Sequence, residues 1–222
     1  MSAEQNRLFP IGKASQGFIF LEVHLSRLGK SETNPEWKGK TYLVVYNSRH
    51  KKLLENFIAD VTFFQTSYKS QLDKLFRKAM KFAKKLSEFT PAVPTQMIFC
   101  DYGRECSMAT IYSKKSNLFV RLKNNEKEYS VFDFLDESEL QAGFKEYNTL
   151  FISSVRRLRV GNNFMTILHL GTGHSLNVDI ETGEPYPPEE YKPDFSFDSL
   201  KKSTFIEPVL HHGKGFDYFI IE

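Results

Sequence analysis

The chain has 222 residues, 41% hydrophobic and 26% charged, with a formal net charge of +3. This composition excludes a largely disordered chain, and no apolar run reaches the roughly 18 residues that a membrane-spanning helix needs. A charge balance this close to neutral neither demands nor excludes nucleic acid, so the local distribution of Lys and Arg carries the information.

The N-terminal segment MSAEQNRLFPIGKASQG lacks the apolar stretch of a secretory signal. Cys100 and Cys106 have the spacing of neither a redox pair nor a zinc knuckle. These features lead us to expect a cytoplasmic (intracellular) protein with no membrane association, no metal and no cofactor.

In chain order, GFIFLEVHLSRL alternates as a strand does, with Ile19, Leu21, Val23 and Leu25 on a core face. Phe18, Phe20, Glu22, His24 and Ser26 form a mixed opposite face. TYLVVY is a second strand expected to pair with the first. HKKLLENFIADVTFF then shifts to spacings of three and four through Leu53, Leu54, Phe57, Ile58 and Val61, which predicts a helix. A longer helix, YKSQLDKLFRKAMKFAKKLSEF, follows, closed by Pro91 and Pro94.

The second half is β-rich. TQMIFCDY, SMATIYS, NLFVRLK and EYSVFDF read as strands, and a short helix is expected over Glu137 to Tyr147. TLFISSVRRLRV, NFMTILHL and SLNVDI form a meander. A Pro-rich extended loop near 181–193 separates it from a tail of two short strands that packs back on the body. The fold expected is α+β: mainly antiparallel sheet with two consecutive helices from the N-terminal half packed on it, as one domain over residues 1–222. Strands followed by a helix occur once in each half, an order shared by several α+β folds, including single-strand nucleic-acid binders built on a curved sheet.

Three basic clusters mark candidate sites for phosphate. The long helix carries Lys74, Lys78, Lys81 and Lys85 among further cations, opposed by Asp73 and Glu88. Arg49, His50, Lys51 and Lys52 fall at the expected start of the first helix, where a bound phosphate would offset the unfavourable helix dipole. Arg156, Arg157 and Arg159 precede a turn in Gly161-Asn162-Asn163. A two-residue turn places Leu158 and Val160 with Met165, Ile167 and His169, and leaves Arg157 and Arg159 beside Phe164. Arginine next to an aromatic on a sheet suits phosphates and stacked bases.

No nucleophile elbow, Walker loop or dinucleotide fingerprint occurs, so no catalytic residue is assigned. The preferred reading is a non-enzymatic DNA- or RNA-binding, or nucleoprotein-associated, protein. The alternatives are a phosphodiesterase or nuclease using His24, His169 or His174, and a protein-interaction or inhibitor module.

Overall fold

Four long antiparallel strands occupy the N-terminal quarter of the chain: β1 (Glu4–Ala14), β2 (Gly17–Leu28), β3 (Glu36–Tyr46) and β4 (Lys52–Phe63). The computed structural model describes residues 4–28, 36–63, 68–103, 106–114, 117–124, 126–131, 149–176, 205–207 and 214–222. The helix α1 (Tyr68–Ala83) comes next, followed by β5 (Thr90–Gly103), β6 (Ala109–Lys114), β7 (Asn117–Leu122) and β8 (Glu128–Ser130). The remaining strands are β9 (Thr149–Val160), β10 (Asn163–Leu176), β11 (Phe205–Glu207) and β12 (Lys214–Ile221).

The expected α+β class is overturned. Among the described residues the fold is mostly β, with 70% in strands and a large mixed sheet, and one helix of seven or more residues stands where two are expected from the N-terminal half. The first expected helix is β4, paired along its length with β3. Two bulges account for the misleading spacing. The register of β4 slips at Leu53 and again at Ile58, so its inward residues change parity. Leu54, Ile58 and Val61 all reach one core, and an interrupted period of two imitates a period of 3.6. The second helix ends at Ala83, and Pro91 and Pro94 lie inside β5, where Pro91 pairs with Gly12 of β1. The expected helix over Glu137 to Tyr147 and the loop near 181–193 lie outside the described residues.

The chain divides into two units. One comprises Met1–Met97, Arg156–Ile167 and Phe219–Glu222, and the other Ile98–Val155 and Leu168–Tyr218. In the first, β1 to β4 pair in sequence, and α1 covers one face of their sheet. Ile19, Leu21, Val23 and Leu25 of β2 pack there with Ala79 and Ala83 of α1, joined by Leu72, Leu75, Phe76 and Met80. The even residues Phe18 and Phe20 enter a separate core on the opposite face, with Leu158, Val160, Met165, Ile167 and Phe219. Strand β2 is therefore buried on both sides over its first half. Gly17 allows the tight entry into β2: its φ is +152°, and a Cβ there would stand 2.3 Å from the carbonyl oxygen of Tyr46.

In the second unit, β6, β7 and β8 form an antiparallel three-stranded sheet, and β11 pairs with the end of β10. Ile111, Val120 and Leu122 are buried on the small sheet, as are Phe151, Ile152 and Tyr218 elsewhere in the unit. Tyr218 donates its hydroxyl to the Ser130 carbonyl at 3.3 Å.

Candidate nucleic-acid interface

The hairpin of β9 and β10 turns on Gly161 and Asn162. Gly161 has φ +62°, a backbone conformation that glycine adopts without cost at the first central position of a tight hairpin. The two-residue loop divides the flanking residues by parity. Leu158, Val160, Met165 and Ile167 enter the core against Phe18 and Phe20. Arg157 points away from that core, and its guanidinium lies 4.5 Å from the centroid of Phe164, which is 38% exposed. Arg159 is exposed next to it, and β5 presents Val93 and Met97 to solvent.

The C-terminal Glu222 holds this surface together. Its carboxylate accepts from Arg157 at 3.1 Å and from the Thr166 hydroxyl at 2.6 Å, and its N–H donates to the Phe164 carbonyl at 2.8 Å. Arg156, one residue away, serves the fold instead. It donates to the Leu8 carbonyl at 3.0 Å and lies over the Phe9 ring.

The helix cations Lys69, Lys74, Arg77, Lys78 and Lys81 are exposed; Lys84 and Lys85, expected on the helix, are exposed in the turn just past its end at Ala83. Lys78 reaches back to donate to the Ile58 carbonyl at 3.0 Å. Lys85 lies over the exposed ring of Phe82.

Arg49, Lys51 and Lys52 do not open a helix, so the expected phosphate site on a helix dipole is absent there. They lie in and just after a hairpin turn built by Asn47, whose side-chain oxygen accepts from the N–H groups of Arg49 and Lys51. His50 at the turn has φ +61° and packs on Phe219 at 4.2 Å between ring centroids. Burial lowers the His50 pKa to about 4, against an opposing backbone hydrogen bond at Phe219.

Lys52 belongs to a polar network that the sequence did not announce. Glu22, 2% exposed on the mixed face of β2, accepts from Lys52 at 2.9 Å and from Asn6 and the Tyr46 hydroxyl at 3.3 Å. His24 stands 3.3 Å away on the same carboxylate, and Lys52 also bonds Glu55. Burial alone would raise the Glu22 pKa, but the bonds from His24 and Lys52 and the Lys52 charge outweigh it and bring it to about 2. Burial pushes the Tyr46 hydroxyl up, aided by the adjacent Glu22 charge. Lys52 is raised too, because its two carboxylates overcome its desolvation. Strand alternation places Glu22 and His24 on one face, but only the β3–β4 register brings Lys52 to them.

The histidines of the alternative reading are placed as follows. His24 contacts Glu22 and lies edge-on to Tyr42. His169 is buried, and its Nδ1 meets Asp217 at 2.8 Å. Its backbone carbonyl accepts from the Ser153 hydroxyl. The backbone of His174 pairs with Glu207, and its side chain is outside the described residues. Among the described residues no group of three or more His, Cys, Asp or Glu is arranged to hold a metal ion, and no helix is long and apolar enough to cross a membrane.

Two cationic surfaces thus stand on one unit. Helix α1 packs on the odd residues of β2 and the β9–β10 hairpin on the even ones, while β5 and β1 join the hairpin to the same sheet. Comparison with protein-family models, characterised proteins and solved structures finds no match to this chain.

Proposed function

We propose that this protein is a non-enzymatic nucleic-acid-binding protein. Its cations meet phosphates, and the outward face of the β9–β10 hairpin takes unpaired bases. The observation that carries the reading is the Arg157 guanidinium stacked at 4.5 Å on the partly exposed Phe164, with Arg159 alongside. Bases stack on aromatic rings and guanidinium planes regardless of sequence, at about 1–3 kcal/mol each. Glu222 already bonds Arg157, so little ordering of that side chain is spent on binding.

The test is fluorescence anisotropy of labelled oligothymidylate and oligouridylate with the full chain over a range of salt concentrations. Binding weakens linearly in log–log form as salt rises, through counterion release. Phe164→Ala lowers affinity roughly 5- to 150-fold, the loss of one stacked base. Arg159→Gln reduces the salt slope by about one. A flat salt response, or no binding at low salt, overturns the proposal.

A further inference from the structure

We infer that the site for an unpaired strand does not end at the hairpin: one strand follows a continuous track from the lysines after α1, across the start of β5, to Arg159 and Phe164. The inference rests on the nucleic-acid reading above and sets the footprint of that same site.

The track follows from the continuity of the sheet, which passes from β10 through β9, β5 and β1 to β2. Leu158, Val160 and Met165 turn to the core that holds Phe18 and Phe20, and Ala92 of β5 packs against that same core. Strands that share a core on one face curl around it. Side chains alternate along a strand, so Val93, Arg159 and Phe164 lie on the other face. Further along the sheet, α1 covers that other face at Ile11 of β1 and at Ile19, Leu21 and Val23 of β2. Val93, Arg159 and Phe164 are exposed, so the helix stands beside an open stretch of the face it covers.

The chain leaving the helix leads directly to the hairpin turn. Lys84 and Lys85 are exposed in the turn after Ala83. The Ser87 carbonyl then accepts from the Ser15 N–H at 3.1 Å, just past the end of β1. Phe89 packs with the α1 core, Thr90 pairs with Lys13, and Pro91 pairs with Gly12. A Cβ on Gly161 would stand 3.9 Å from Thr90 Cγ2, and the Thr95 hydroxyl donates to the Arg157 carbonyl at 2.9 Å. The hairpin is thereby seated along β5 from its tip back to Arg157.

The dimensions suit one strand. From Lys85 to Thr90 the chain reaches at most about 18 Å. From Gly161 to Phe164 it advances about 10 Å. The whole track is then no longer than about 30 Å, which about nine nucleotides span even at the close 3.4 Å spacing of a duplex strand. Single-strand sites on other folds take about 4–16 nucleotides. The two ends divide the work: Lys81, Lys84 and Lys85 meet phosphates, and Phe164 takes a base. Residues 84–91 carry one carboxylate, Glu88, which is exposed between Lys85 and Thr90 and opposes a phosphate there.

Oligothymidylates of about five, nine and fifteen nucleotides are titrated with the full chain by anisotropy, the shortest read by its competition against the nine-mer. Affinity should climb steeply up to the nine-mer and little beyond it, with one nine-mer bound per chain. Lys84→Gln with Lys85→Gln should lower the salt slope for the nine-mer by roughly one to two and weaken it roughly tenfold at low salt. The five-mer, long enough for the hairpin alone, should change by less than about twofold, whereas Phe164→Ala weakens both lengths. Glu88→Gln should tighten the nine-mer and not the five-mer. Both lysines are exposed in a turn, and the urea midpoint of their variant should stay with the parent's.

An unchanged nine-mer slope in the lysine variant overturns the inference and leaves the hairpin reading intact. An equal loss at five and nine nucleotides overturns it too, because the lysines would then act without being touched by the longer strand's extra length. Saturation at two nine-mers per chain does the same, since the lysines would form a site of their own. Absence of binding by every length at low salt removes both the inference and the nucleic-acid reading.

Discussion

Glu22 shows how much one side chain can depend on distant neighbours. A carboxylate at this depth is tolerated because Lys52, His24, Asn6 and Tyr46 surround it. Its folded pKa of about 2 lies below the ordinary 4.5, so its stabilisation is present above pH 4.5 and is lost as pH falls toward 2. The shift corresponds to about 3 kcal/mol. Glu22→Gln leaves the half-buried Lys52 ammonium with Glu55 alone, and urea denaturation at neutral pH should report a loss of roughly 2–4 kcal/mol.

His50 acts in a higher pH window. Its folded pKa of about 4 is below the ordinary 6.5, so the unfolded chain binds a proton that the folded one refuses, and stability falls between pH 6.5 and 4. After allowance for partial solvent exposure the effect is roughly 1–2 kcal/mol. His50→Asn keeps a residue that tolerates φ +61° and removes the titration. The thermal midpoint of that variant should hold steady from pH 6.5 to 4.5 while the parent declines. A parallel decline in both would refute the assignment. At the hairpin, Glu222→Gln keeps an oxygen that can accept from Arg157 but removes the negative charge beside it, and should tighten oligonucleotide binding several-fold at low salt, measured by anisotropy.

At the scale of elements, β4 and the two turns are the informative pieces. The inward residues of β4 imitate a helical stripe, because two bulges convert alternation into spacings of three and four. Composition offered a warning in the β-branched Ile58, Val61 and Thr62. Nothing local, however, reveals a bulge, which exists only relative to the partner strand β3. The β9–β10 hairpin was legible for the opposite reason. A Gly-Asn loop of two residues sets the parity of both strands by itself, and the separation of Leu158 and Met165 from Arg157 and Phe164 follows from it.

The glycines of these turns should respond unequally to substitution. Gly161→Ala meets open space, its nearest neighbour being Thr90 Cγ2 at 3.9 Å, so its cost is backbone strain alone, about 1–2 kcal/mol. Gly17→Ala adds a collision with the Tyr46 carbonyl oxygen and should cost clearly more in chemical denaturation. Equal losses would mean that the β2–β3 contact relaxes freely.

At the scale of the whole molecule, opposite charges and apolar residues are spread evenly enough that bulk composition says little about function. The arrangement of cations says more. Of the three basic clusters, the turn holding Arg49 and Lys51 and the hairpin belong to the side of β2 that carries Phe219, and α1 belongs to the other. Arg156 and Lys52 are drawn into the structure by Leu8 and Glu22. Among the described residues the cations left outward include those of α1 and Arg159 of the hairpin.

The sequence by itself determined what short-range rules can reach: the two faces of β2, the apolar stripe of α1 and the parity of the β9–β10 hairpin. Each depends on a repeat or a loop within some twenty residues. Tertiary structure alone decided that β4 is a bulged strand, that Lys52 completes a buried network around Glu22, and that Glu222 clasps Arg157. It also decided that the helix covers the odd face of β2 and the hairpin the even one, with β5 and β1 joining the hairpin to the same sheet. The physical reason is that alternation tells which residues share a face, whereas the partner covering that face is chosen by strand pairing across long separations in the chain.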